Sequence, residues 1–133
     1  MMKLFVFLLV LNIPNIAIAA GGSSSKATSS KYFKISPQTV VNISDKGKVR
    51  HLQVGVQLRL DEPADSSIVE EHIPAIQHEL VMLLSGREAQ NVRSVQGKEL
   101  LRTEAMEKIK VVLEENTGRA IINAVYFTAF VIQ

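Results

Sequence analysis

The chain has no cysteine and no tryptophan among its 133 residues, and only two tyrosines. Without a thiol there can be no disulfide, no thiolate metal site, no cysteine nucleophile and no lipid carried on cysteine. The formal charge of +2 is not gathered into a block. With no basic stripe interleaved with aromatics, nothing in the sequence points to a nucleic-acid partner. No apolar run reaches the roughly 20 residues that a membrane-spanning helix needs. Neither a G-x-S-x-G elbow nor a glycine loop for phosphate is present, which removes two common signatures of catalysis and nucleotide binding.

What is present is a large apolar fraction, 47%, enough for one domain with its own core. The most apolar stretch outside the N-terminus is the last one, Ile121–Gln133 (IINAVYFTAFVIQ). Its β-branched and aromatic residues and the Gly118 stop before it predict a strand, buried on both faces and interior to its sheet. By simple alternation Val125, Phe127, Ala129 and Val131 share one face, and Tyr126, Thr128, Phe130 and Ile132 the other.

Residues 1–20 combine Lys3, an apolar core Leu4–Leu11, a breaker group Asn12/Pro14/Asn15 and an Ala17-Ile18-Ala19 motif. They read as a signal peptide cleaved between Ala19 and Ala20, or as a degraded membrane anchor. Residues 21–31 form a flexible Ser/Gly linker, and residues 32–133 form the domain.

A first strand is expected over Tyr32–Ile43, with Pro37 marking an edge or a bulge. Asn42-Ile43-Ser44 fits the glycosylation pattern but reads as turn entry. Asp45-Lys46-Gly47-Lys48 supplies a turn. Val49–Leu60 then alternates, with Leu52, Val54, Val56, Leu58 and Leu60 inward and His51, Gln53, Gly55, Gln57 and Arg59 outward. Ser67-x-x-Glu70 predicts a capping box for a helix running to Ser85, interrupted near Pro74 and carrying a stripe of Val69, Ile73, Ile76, Leu80, Leu83 and Leu84. A second helix, Ser94–Asn116, carries Leu101, Ala105, Ile109, Val112 and Leu113 inward and a Glu104–Lys108 pair outward. The expected fold is α+β: an antiparallel sheet of about three strands, covered on one face by two amphipathic helices.

The search for chemistry returns little. His78-Glu79 begins like a zinc-protease helix, but Met82 stands where the second histidine belongs. His72 and His78 are about 240° apart around a helix and cannot share an ion. No catalytic residue, metal site, cofactor or small-molecule substrate is expected.

From Tyr32 to Gln133 the chain resembles the FliL family of flagellar basal-body-associated proteins. The residues that carry the likeness are Val40-Val41-Asn42 with Asp45-x-Gly47-Lys48 and Leu52-Gln53-Val54; Ile76 to Leu83-Leu84-Ser85; Gly97-Lys98-x-Leu100-x-Arg102; and Val125-Tyr126-Phe127-Thr128-x-Phe130-Val131-Ile132-Gln133. The likeness implies a stomatin-like, non-enzymatic periplasmic domain at the inner membrane, a homo-oligomer beside the flagellar stator that supports rotation, motility and chemotaxis. A general periplasmic scaffold, or a soluble paralogue unrelated to torque, is the alternative. Asn42, Gly97, Arg102, Tyr126, Phe127, Phe130 and Gln133 are the motif positions expected to serve structure or assembly.

Overall fold

The alternating stretch becomes the long strand on which the whole sheet is built. The structure, a computed structural model, describes residues 30–133; the expected signal or anchor, its cleavage point and nearly all of the linker lie outside them. In chain order the elements are β1 (Tyr32–Lys34), β2 (Thr39–Asp45), β3 (Lys48–Leu60), a 3-10 turn (Pro63–Asp65), α1 (Ser66–Glu71), α2 (Ile73–Leu84), α3 (Ala89–Arg93), α4 (Val95–Thr117) and β4 (Ile122–Ile132).

β2 and β3 form a hairpin closed at Asp45↔Lys48. Lys46 and Gly47 both hold positive φ, 52° and 78°, the backbone that a two-residue turn needs to match strand twist. Pro37 cuts the expected first strand in two, so the sheet has four strands. β1 and β2 lie one after the other along the same edge of β3, Tyr32 opposite Arg59 and Thr39 opposite Val54. β4 occupies the other edge, from Ile122 opposite Leu60 to Ile132 opposite Leu52.

That placement corrects the expectation for the C-terminal stretch, since β4 pairs with β3 alone and is an edge strand. The interior strand is β3. Only one face of β4 is buried, because among the described residues a single helical layer covers the sheet and no element lies over its other face.

The helical layer follows the sequence closely. The helix after β3 breaks at His72, with Pro74 in the first turn of α2, the interruption expected from its missing amide donor. Two local differences remain. Ser67 is not the cap. The 3-10 turn starts the coil earlier, so the Ser67 hydroxyl donates to the Ala64 carbonyl at 3.4 Å, while the Glu62 amide donates to Asp65 Oδ2 at 3.2 Å. The second difference is α3, a short turn of helix between Glu88 and Ser94 that buries Ala89 and Val92. α4 starts at Ser94, whose hydroxyl accepts from the Gly97 amide at 2.9 Å, and stops at Gly118 with φ 77°.

α2 lies over β2 and α4 over β4, packed against each other. Ile76, Leu80, Leu83 and Leu84 of α2 and Leu101, Ala105, Ile109 and Leu113 of α4 close over the inward row of β3, Leu52 to Leu60. Glu104 and Lys108 do not pair with each other. Glu104 accepts from Arg87 at 2.8 Å and Lys108 lies 3.6 Å from Glu79, so both charges reach off α4, to the connection between α2 and α3 and to α2 itself.

Candidate functional site

β4 carries two residues that β3 does not match. Gly55 pairs with Ala129 and Val56 with Phe127, leaving Thr128 as an extra residue; Arg59 pairs with Ala124 and Leu60 with Ile122, leaving Asn123 as another. Each bulge resets the alternation. Phe127 and Phe130, three apart, therefore both turn toward the helices, with ring centroids 5.8 Å from one another. Ile132 and Val125 follow them inward, opposite Leu52 and Leu58. Ala129 and Val131 turn outward with Tyr126. Gly55 lies close against the first bulge: a Cβ there would stand 2.7 Å from Thr128 Oγ1 and 3.2 Å from the Ala129 amide nitrogen.

The outward side of the sheet sets apolar and amide side chains among three exposed basic ones, Lys34, His51 and Arg59. Tyr32, Val40, Tyr126 and Val131 are 49%, 58%, 39% and 44% exposed. Tyr32 and Tyr126 reach toward each other from opposite edges of β3, with ring centroids 6.2 Å apart. Gln53 donates to the side-chain carbonyl of Gln38 on the same side.

Around the free edge of β4, a groove of about 530 Å³ opens against the first turns of α4, lined by Val95, Lys98, Glu99, Arg102, Tyr126, Phe127 and Phe130. Lys98 places its ammonium 5.1 Å from the centre of the Phe130 ring, an attraction to the ring's negative face. Arg102 reaches the strand edge itself, donating from Nη1 to the Val125 carbonyl at 3.3 Å. The same guanidinium donates to both carboxylate oxygens of Glu99. That hydrogen bond, opposed by slight desolvation and helped by the charge of Arg102, holds the Glu99 carboxyl below the usual carboxylate range; the Arg102 guanidinium is pushed up in turn, first by its hydrogen bond to Glu99.

The expected motif residues therefore divide. Arg102, Tyr126, Phe127 and Phe130 meet in the groove. Gly97 does not line it; it lies where α3 meets α4 so closely that a Cβ would overlap the Asn91 carbonyl. Asn42 and Gln133 lie away from it, flanking His51 on the outward side: Asn42 pairs with His51 from β2, and Gln133 exchanges two 2.9 Å backbone hydrogen bonds with it from the other edge. Reasoning from sequence missed Tyr32, Val95 and Glu99. Tyr32 was legible as an aromatic in an alternating strand, but its partner across the sheet was not.

The histidines are scattered. His72 Nδ1 lies 2.7 Å from the Ile68 carbonyl, His51 is on the open sheet face, and Glu79 turns to Lys108. Among the described residues no three His, Asp or Glu side chains converge as metal ligands, and no helix is long and apolar enough to cross a membrane.

Comparison with known proteins gives one consistent result. Residues 32–133 match the family described as "Flagellar basal body-associated protein FliL". "Flagellar protein FliL" of Aquifex aeolicus (strain VF5) is 27% identical over 101 residues, covering 76% of this chain and 60% of that protein. The protein of that description from Escherichia coli (strain K12) is 28% identical over 93 residues, covering 70% of this chain and 59% of its own length, and the same figures hold for Shigella flexneri. The matched part of this chain thus spans about three fifths of the length of these relatives.

Proposed function

The chain belongs to the FliL family of flagellar basal body-associated proteins, and from that premise we propose that it is a non-enzymatic partner of the flagellar stator on the periplasmic side of the inner membrane, supporting rotation through self-association and stator contact. The observation that carries the reading is the continuity of the open sheet face with the free edge of β4 and its groove. Tyr32, Val40, Tyr126 and Val131 are solvated in the single chain, and an apolar patch beside an unpaired strand edge is the usual form of an interaction surface. The motif residues of the groove supply shape and a hydrogen-bonded edge, with no nucleophile, metal set or acid/base pair among them.

The test is a chromosomal deletion, with motor speed followed by a tethered bead under rising load. The expected result is a loss of speed that grows with load and is restored by the intact gene. Unchanged speed at every load, with cross-linked partners that are not motor components, would instead make the protein a general periplasmic scaffold.

A further inference from the structure

The β2–β3 hairpin runs past the end of β4: Ile43↔Arg50, Ser44↔Val49 and Asp45↔Lys48 have no β4 residue beside them. By strand alternation Lys48 and Arg50 continue the inward row that begins at Leu52, with Asp45 and Ile43 opposite them on β2. The residues before α3 are laced to the outer edge of β2. The Gly86 amide donates to the Asn42 carbonyl at 2.8 Å, and the Ser44 amide to the Arg87 carbonyl at 2.9 Å. α3 is thereby held beside the hairpin, and its Arg93 meets Arg50 at a single carboxylate: Arg93 Nη2 and Arg50 Nε lie 3.0 Å and 3.7 Å from the same oxygen, Asp45 Oδ2. The Asp45 side chain is only 16% exposed. Asp45, Lys46, Lys48, Arg50 and Arg93 line a cavity of about 270 Å³. A second cavity, of about 550 Å³, shares Asp45, Lys46 and Arg93 with the first and adds Glu88 and Gln90. Among the described residues the four cations have no ion-pair or side-chain hydrogen-bond partner besides Asp45.

We infer that this concave cluster binds the phosphate group of a small, soluble phosphate monoester. Asp45 fixes two guanidiniums at once, and their N–H groups that do not face it are left for the two-pronged hydrogen bonding that phosphate oxygens accept. Lys46 and Lys48 add charge without a fixed direction. Charge decides between anions. Four cations against Asp45 and Glu88 leave a formal charge of +2, which a phosphate monoester matches with about −1.5 to −2 at neutral pH. A carboxylate, a sulfate ester or a phosphodiester brings one negative charge only. Shape decides against an extended peptide, which gains its backbone hydrogen bonds from a free strand edge, because residues 86–88 already occupy the edge of β2 here. The larger cavity has room for the group that carries the phosphate, with Glu88 and Gln90 to hydrogen-bond its hydroxyls, and its volume falls in the range of about 300–1,000 Å³ usual for small-ligand sites. This inference is independent of the stator reading.

The test is a calorimetric titration of the full chain with glycerol phosphate, set beside the methyl diester of the same compound, which has one charge fewer. The expected result is saturable binding of the monoester at one site, weakened by at least about tenfold in Arg50→Gln and in Arg93→Gln, with the circular dichroism spectrum unchanged. Arg93→Lys, which keeps the charge but not the planar fork, should recover only part of that loss, and the diester should bind the unaltered protein more weakly by a similar factor. No saturable binding, equal affinity for monoester and diester, or full affinity in both glutamine variants would overturn the inference. Binding of polyglutamate, or of phosphatidic acid vesicles, without binding of glycerol phosphate would overturn it in favour of an acidic protein segment or a membrane surface.

Discussion

At Gly97 a methyl group has nowhere to go, because the Asn91 carbonyl occupies the space that a Cβ would take. The Gly97 amide is also the donor to the Ser94 hydroxyl that starts α4, so any shift to relieve the overlap strains the cap. Gly97→Ala should therefore destabilise the domain by about 1–3 kcal/mol, read as a lower urea midpoint at constant slope. Arg102 calls for a different measurement, since its guanidinium lies near the surface and acts on a neighbour's proton. Glu99, held below the ordinary carboxylate range chiefly by the Arg102 hydrogen bond, contributes its stability at neutral pH and loses it as the pH falls through that depressed value. In Arg102→Ala the Glu99 carboxyl should titrate higher, back toward the ordinary range, in a carboxyl-detected NMR titration. An unmoved titration would show that the pairing in the structure does not persist in solution.

Among the elements, α4 is held to its neighbours by charge as well as by its apolar stripe. A double-mutant cycle on Arg87 and Glu104 should return a coupling of about 0.2–1 kcal/mol, discounted for the solvent around both groups, and the Glu104/Lys108 cycle about zero. The second figure separates the structure from the i,i+4 pairing that spacing suggests. α4 was legible almost whole because Ser94, the five-residue stripe and Gly118 are local signals that agree with the final packing. β3 was legible for the same reason, its alternation being strict and its turn chemistry adjacent. β4 was not. Whether an apolar strand is central or marginal depends on which strands lie beside it, and the β1–β2 pair claimed the other edge of β3. Alternation also misplaced Ala129, Phe130, Val131 and Ile132, since a bulge shifts every later side chain by one position. The groove was half legible: Arg102, Tyr126, Phe127 and Phe130 stood out in the sequence, but only the crossing of α4 over β4 brings them together.

For the whole molecule, the outward face can be changed without touching the core. Tyr126→Lys combined with Val131→Lys should alter stability by no more than about 1 kcal/mol, as surface substitutions do, while abolishing self-association in sedimentation and failing to restore motor speed to a deletion strain. Normal association by this variant would exclude the open face as the interface. The strand connections carry a further consequence. β1, β2 and β4 each pair with β3 and never with one another, so the sheet is a spine with three ribs rather than a chain of neighbours. A rib can open without breaking any other rib's hydrogen bonds, whereas loss of the spine dissolves them all. β4, which follows α4 in the chain, is the rib whose pairing closes the longest span of sequence. Native-state hydrogen exchange in this domain should therefore fall into separate edge openings around one slow central strand.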